Sequence, residues 1–485
     1  MSLTLALAAS GLAVDMRSRR PASAGVEAAT STGPGARFLE RSVFCPGARG
    51  RRVSRTLSVH TSHSQEVRVA ARPWNESPAP VDGKMLWLPG ADRQAVNVVG
   101  SGARVTAASV VGWPQSSRAG GRDAAAPGGA GASGCSPVAS DRWYFPLGAS
   151  SAGWDERIMI LNPFPDEAVA RVTFAAERGP KAGDTHEVAV PARKSVQVEI
   201  NRMTLPVLSL AATVTVRRGR VVAWKTVFLS HGPKRSPHRL ANLKGRLRAD
   251  EPATGGALFS LGATDTSAQW YFPDAGAGPG RSTTLALMNP AGEPATATVS
   301  LLGRRAIAQP PGLVDVTVPA GGSTFIPLKA PEARRGRVRS FSAVVASTGG
   351  VELVAERSMS YSTDELRGVA SEIGATVPSR RWSLAPAATR PDADDVIVLN
   401  PGPQDAVVDL EVFRPSRRGL TPSRLQGLVV EAGSRRTIAV ARGGRAPSVV
   451  VVRSSAPVVA ERRAYSPGYR DVASVMGEPL PLGTD

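Results

Sequence analysis

The sequence predicts an all-β chain of tandem immunoglobulin-like β-sandwich domains, preceded by a divergent N-terminal β unit. Three observations carry that expectation. The first is a repeat: "WYFP" stands at residues 143–146 and again at 270–273, and each copy opens a stretch with the same later landmarks. The second is a hydrophobic period of two. In "ATATVSLL" (295–302), Ala295, Ala297, Val299 and Leu301 fall on one face and Thr296, Thr298 and Ser300 on the other, the pattern of an antiparallel strand with one wet face. The third is composition. With 49 Gly and 40 Pro, the 485 residues favour many turns and short strands, and a chain of this length holds about three or four domain-sized units.

Alignment on the tryptophan gives three copies, opening at Trp143, Trp270 and Trp382, the last in a worn "WSLAP". Asn162-Pro163, Asn289-Pro290 and Asn400-Pro401 follow 19, 19 and 18 residues later. The segments just ahead of them, "RIMIL", "TLALM" and "VIVL", are apolar on both faces and predict central strands. Asn-Pro then predicts a turn, since Pro cannot donate to a ladder and Asn can bond its own backbone. Next come the turns "VAVPARKSVQV", "VTVPAGGSTFI" and "LVVEAGSRRTIAV", and the closing strands "RVVAWKTVF", "ELVAERSMSY" and "PVVAERRAYS". The central Ala of each closing strand lies 61, 66 and 60 residues after its Asn. These landmarks place the repeats at 141–250, 257–372 and 380–482, with linkers at 231–256 and near 363–380. Residues 37–140 hold strand-like pieces such as "RTLSVHT", "EVRVAARP" and "KMLWLPG", and read as the divergent unit. Its "SSRAGGRDAAAPGGAGASG" (116–134) is expected to be a flexible loop, because Gly and Ala have little to pack with.

Compartment is read from the ends and the cysteines. Residues 1–36 are expected to be a residual export signal or anchor with a flexible segment, on the apolar run "LTLALAASGLAV" (3–14) and the small-x-small Ala22-Ser23-Ala24. No other run reaches the ~18 apolar residues of a membrane helix, so membrane contact is expected only through that anchor. Cys45 and Cys135 are the two cysteines, 90 residues apart and outside any C-x-x-C arrangement. In an oxidising compartment they predict one disulfide fastening the start of the divergent unit to its end. The expected location is extracytoplasmic, secreted or anchored in the cell envelope. The net charge of +19 comes from 52 Arg and 7 Lys against 40 acids. The skew towards Arg reads first as coding bias, and second as a functional polycation attracting anionic partners such as envelope polymers, phospholipid or nucleic acid. The densest basic stretch, 217–248, lacks the stacking aromatics that nucleic-acid binding needs.

A Cys shortly before a W-[YF]-F strand, "LxNP", "VPAGS"-type turns and "VVAER" strands together resemble a family of uncharacterised actinobacterial secreted or membrane-anchored proteins with tandem repeats of this kind. The resemblance covers about 37–480 and implies an exported, non-enzymatic cell-envelope protein. The third copy departs from it by losing Tyr-Phe-Pro.

Motifs of chemistry are few. "GAGPGRSTT" (276–284) has Arg281 where a phosphate loop needs lysine and leads into a strand. "GASSAG" (148–153) is no nucleophile elbow. None of His60, His63, His186, His231 and His238 belongs to a metal motif. "RPDADD" (390–395) lacks the glycine and glutamate of a calcium loop and is expected to be solvated. Glu356-Arg357 and Glu461-Arg462 read as edge charges against aggregation. No cofactor, metal or catalytic residue is assigned. The expected function is a structural or adhesive scaffold of the envelope, with envelope proteins or polymers as partners. The alternative is a carbohydrate-binding accessory using Trp74, Trp87, Trp113 or Trp154 as platforms. An enzyme would need a site assembled between repeats.

Overall fold

A computed structural model describes residues 40–48, 53–61, 66–71, 75–80, 85–89, 96–101, 105–113, 129–151, 153–176, 185–229, 256–303, 307–329, 339–363, 366–388, 391–416, 419–443, 448–466 and 471–480. The expected signal or anchor at 1–36 lies outside them, as do 230–255 and 116–128. All described sheets are antiparallel, and no helix among the described residues is long and apolar enough to cross a membrane.

Each copy of the repeat is two facing sheets. In repeat 1 the opening strand Arg142–Gly148 pairs with Leu210–Arg218, then Ala168–Ala176, then His186–Val190. The other sheet runs Ser195–Glu199, the central strand Trp154–Leu161, the closing strand Val222–Leu229 and a last strand, Gly256–Leu261. Repeat 2 repeats this with its opening strand at Gln269–Ala277, central strand at Arg281–Met288, closing strand at Val354–Ser362 and last strand at Arg367–Ile373. In repeat 3 one long strand, Val449–Tyr465, crosses from the first sheet to the second, beside Ser379–Leu384, Ala393–Asn400 and the last strand Val472–Met476. The divergent unit is complete: Glu40–Cys45, Val96–Ser101, Glu66–Ala71 and Asn75–Pro80 form one sheet, and Met85–Pro89, Ser54–Thr61, Val105–Trp113 and Gly129–Gly134 the other. Cys45 and Cys135 form the disulfide between its first strand and the residue after its last.

The apolar ends of the central strands are buried on both faces, as their two-sided pattern requires, with Ile158, Ile160, Leu285, Leu287, Val396 and Val398 all at 0% exposure. The cores run on from unit to unit. Val53, Val111 and Trp113 of the divergent unit pack in the core of repeat 1. Tyr144 of repeat 1 packs in that of repeat 2, and Tyr271 of repeat 2 in that of repeat 3. Thus "WYFP" divides its labour by strand alternation: Trp143 and Phe145 face their own core, and Tyr144 the next. The third copy has Ser383 at the tyrosine position and keeps Trp382 and Leu384 inward.

The last strands of the four units meet one another. Gly129–Gly134 packs on Gly256–Leu261, that on Arg367–Ile373, that on Val472–Met476, and the fourth returns to the first. The units therefore close a ring around four axial strands. Three expectations are corrected by this. Repeat 2, expected from 257, starts later, because Gly256–Leu261 completes the second sheet of repeat 1. The Gly/Ala-rich stretch expected as a flexible loop ends in an axial strand, because its glycines permit close approach: a Cβ on Gly131 would sit 2.6 Å from the Phe259 Cβ. The linker expected near 363–380 contains the axial strand Arg367–Ile373.

Candidate functional site

The landmark residues have the same work in every copy. Trp143, Trp270 and Trp382 are buried, and their Nε1 groups donate to the carbonyls of Val221 (2.8 Å), Leu353 (2.9 Å) and Val458 (2.7 Å), where the chain crosses between sheets. Asn162, Asn289 and Asn400 are each at 0% exposure. Asn289 Nδ2 donates to the Glu293 carbonyl at 2.7 Å and to the Val318 carbonyl at 3.2 Å, while its Oδ1 accepts the Ala291 N–H at 3.0 Å. Asn162 bonds Asp166, Val190 and Phe164 in the same way, and Asn400 bonds Gln404, Val430 and Gly402. Pro163, Pro290 and Pro401 follow each Asn just past the end of its strand. These are tie points of a sandwich, joining turn to opposite sheet.

Charge is concentrated at the junctions between repeats. Lys225 Nζ donates to the Leu147 carbonyl of its own repeat and to Glu356 of repeat 2, 2.7 Å away, and Glu356 accepts the Leu147 N–H at 3.2 Å. The next junction copies the device. Arg357 donates to the Asp274 carbonyl and makes a two-pronged pair with Glu461 of repeat 3 at 2.6 and 2.8 Å, and Glu461 accepts the Asp274 N–H at 3.2 Å. Leu147 and Asp274 are the residues that follow each "WYFP". Between the divergent unit and repeat 1, Trp224 occupies the place of these acids and donates to the Gly47 carbonyl at 2.9 Å.

The charges expected at strand edges are thus buried: Glu356, Arg357 and Glu461 are at 0% exposure and Arg462 at 1%. Their strand lies between the central and last strands of its sheet, and alternation of side chains lets Glu356 meet the preceding repeat and Arg357 the following one. Arg462 instead pairs with Asp394 of its own repeat at 2.5 Å and bonds Ser448. The "RPDADD" segment is likewise no solvated loop. Asp394 and Asp395 begin a central strand and are buried, the latter against Arg442 at 2.7 Å and Arg463 at 3.2 Å.

Asp274 is the hub of the junction between repeats 2 and 3. Its carboxylate receives Arg281 of its own repeat at 3.2 Å and Arg435 and Arg463 of repeat 3 at 3.2 and 2.5 Å. Burial alone would raise its pKa, but Arg463, Arg281 and Arg435 together hold it well below the usual carboxylate range. Burial and the neighbouring guanidiniums lower Arg435 to about 10, against the pull of Asp274. Arg281 lies over the Tyr361 ring and Arg463 over the Tyr465 ring, each at 5.2 Å. Carboxyl groups from separate repeats do approach one another here. Glu156 feels Glu356, and burial lifts it to about 7 with Lys225 opposing; Glu372 feels Glu461 and is raised well above its usual value by burial. All of them are closed within the junctions.

The remaining candidates disperse. Trp113 is buried against Phe228 and Phe259, and Trp154 is half-buried against the apolar cluster of Leu147, Val227 and Leu229, so neither offers an open sugar platform. Trp74 and the side chain of Trp87 lie outside the described residues, as do His63, His231, His238 and the side chain of His60. The His186 ring lies tilted beside that of Phe174, with centroids 6.1 Å apart. "GAGPGRSTT" makes the tight turn at Gly278–Arg281 between two strands. Ser150 of "GASSAG" is tied to Leu205 and Val207. Among the described residues no three His, Cys, Asp or Glu are grouped to hold a metal ion. An open groove of about 300 Å³ on repeat 3 is lined by Asp409, Leu410, Glu411, Arg424, Gln426 and Arg453.

Sequence reasoning missed Asp274, Lys225, Glu156 and the axial strands. A signal existed for the last: "GALFSLG", "GVASEIG" and "DVASVMG" share one pattern, and each follows its closing strand.

Residues 128–227 and 335–466 match the model of a family of unknown function (DUF5719). That match includes the axial strand of the divergent unit, repeat 1 to its closing strand, and the strands from repeat 2 into repeat 3. No curated protein matches the chain. The crystal structure of Thermotoga maritima 1070 is similar over 26% of this chain and 96% of its own, at 17% identity and a TM-score of 0.20, a likeness too slight to carry an argument.

Proposed function

We propose that this chain is a non-enzymatic, exported scaffold of the cell envelope, acting through the outer surfaces of a closed ring of β-sandwiches. The observation that carries the reading is where its ionisable groups go. Lys225–Glu356, Arg357–Glu461 and the Asp274 hub are spent on one another across the junctions between the three repeats, which ties those repeats together. Such groups are inaccessible to a substrate. The disulfide Cys45–Cys135 supports an oxidising, extracytoplasmic location. The net charge of +19 suits anionic envelope polymers, and the outer sheets suit other envelope proteins. The carbohydrate-binding alternative rests on Trp74 and Trp87, since Trp113 and Trp154 are packed.

Fractionation of the native host with thiol mapping tests the proposal. The expected result is protein in the envelope or medium with Cys45 and Cys135 oxidised. Cytosolic protein with both thiols free overturns it.

A further inference from the structure

The axial strands carry equivalent pairs at their N-terminal ends: Gly129-Ala130, Gly256-Ala257, Gly368-Val369 and Asp471-Val472. Three of these openings carry glycine because the strands converge too closely for a side chain. A Cβ on Gly129 would lie 2.6 Å from the Ala257 Cβ, and one on Gly256 2.9 Å from Val369 Cγ2. The fourth carries Asp471, whose side chain fills the space the glycines leave and is 4% exposed. Its Oδ2 accepts the Ala130 N–H, and its Oδ1 accepts the N–H groups of Val472 at 2.8 Å and Val369 at 3.4 Å. The Ala257 amide is a fourth donor. One carboxyl group therefore gathers an N–H from each of the four units. Each of these amides lies within the first three residues of the last strand of a sheet, where no further strand of that sheet supplies an acceptor.

The four seams of the ring are unequal. Repeats 1 and 2, and repeats 2 and 3, are joined by the buried clamps Lys225–Glu356 and Arg357–Glu461. The divergent unit and repeat 1 share the Trp224–Gly47 bond, the Leu261 N–H to Ser133 Oγ bond at 3.1 Å, and the Trp113–Phe228 ring contact. Among the described residues the seam between repeat 3 and the divergent unit is lined by small side chains, Ala132, Ala387, Ala388, Ala464 and Ala473 with Val110 and Val475. Alanines bury little area, so dispersion and hydrophobic burial hold this seam less than the others. It also joins segments 341 residues apart in sequence, at Ala130 and Asp471.

We propose that Asp471 is the latch that closes the ring, and that the seam it holds, between repeat 3 and the divergent unit, is where the ring opens. The other seams stay shut when it does, because their clamps do not involve Asp471. Opening bares the axial strands Gly129–Gly134 and Val472–Met476, which the closed ring hides.

The test is amide hydrogen exchange with small-angle scattering on the full chain carrying Asp471→Gly, which restores the residue of the other three positions. The expected result is exchange at least ten-fold faster at Ala130, Ala132 and Ala473, a larger radius of gyration, and unchanged protection of the central strands Trp154–Leu161 and Arg281–Met288. Asp471→Asn keeps an acceptor oxygen and the shape, and serves where the glycine variant does not fold; it is expected to accelerate the same amides three- to ten-fold. Exchange at Ala130 and Ala473 that stays at the parent rate in both variants overturns the proposal. So does an equal loss of protection in all strands, which would mark Asp471 as a general stabiliser and not the holder of one seam.

Discussion

Asn289 is a polar side chain at the heart of an apolar core, and its value lies in what its removal would strand. Two carbonyls, of Glu293 and Val318, accept from its Nδ2, and one amide, of Ala291, donates to its Oδ1. The residue is fully buried, so water cannot replace the lost bonds cheaply. Asn289→Ala is expected to cost about 2–4 kcal/mol in urea unfolding, the sum of unsatisfied buried partners and a small cavity. Asn162→Ala and Asn400→Ala should cost about the same, because their bonds are superimposable in kind. A loss below about 0.5 kcal/mol, the range of ordinary surface substitutions, would show that the side chain is dispensable. The tryptophans follow the same logic, each pairing a large apolar body with a single N–H that must find an acceptor.

The axial strand Gly129–Gly134 is packed tightly in its middle and free at its end. Gly131 faces Phe259 with no room for a methyl group, whereas a Cβ on Gly134 would meet nothing within 4 Å. Gly131→Ala is therefore expected to destabilise by about 1–3 kcal/mol through overpacking, and Gly134→Ala to stay within about 0.5 kcal/mol of the parent. Thermal unfolding of the pair separates close packing from a mere preference for glycine; equal shifts would refute the contact. This strand also shows what the sequence could and could not disclose. Alternating strands such as Ala295–Leu302 and the two-sided central strands are legible, since each pattern follows from its own burial. So are the landmark Trp and Asn-Pro positions, which recur at fixed spacing. A strand of glycine, alanine and one serine is not, because its core is supplied by the neighbouring unit. The same holds for Glu356-Arg357, a charged pair that looks like an exposed edge until the flanking repeats are in place. Burial between units leaves no period in a single segment.

At the scale of the whole molecule the junction clamps should behave as coupled units. Glu461→Ala leaves Arg357 charged and unpaired at 0% exposure, and a loss of roughly 3–5 kcal/mol is expected. Replacing both partners, Arg357→Met with Glu461→Leu, should recover most of it, because the desolvation of both charges disappears. A double-mutant cycle by chemical denaturation reads this directly, and additive losses would mean that the two side chains stabilise independently. The buried carboxyl groups give the molecule a pH dependence of definite sign. Burial lifts Asp471 to about 8, with the N–H groups of Ala130, Val472, Val369 and Ala257 opposing. Burial lifts Glu156 to about 7, with Lys225 and the Ala149 N–H opposing and Glu356 adding to the rise. In the folded state each group keeps a proton that the unfolded chain has already released. Their stabilisation is therefore full below the ordinary carboxyl values of 3.8 and 4.5 and is lost as pH rises through about 7 and 8. Asp274 runs the other way: held low by Arg463, Arg281 and Arg435 despite its burial, it contributes above its ordinary 3.8 and loses that contribution in acid. The two trends set a stability maximum in mild acid, and Tm is expected to fall by on the order of 5 °C between pH 5 and pH 9. Asp471→Asn and Glu156→Gln should each flatten that slope, because neither replacement releases a proton. A Tm that is level or rising over this range in the parent chain would mean that these carboxyl groups are ionised in the folded ring at neutral pH.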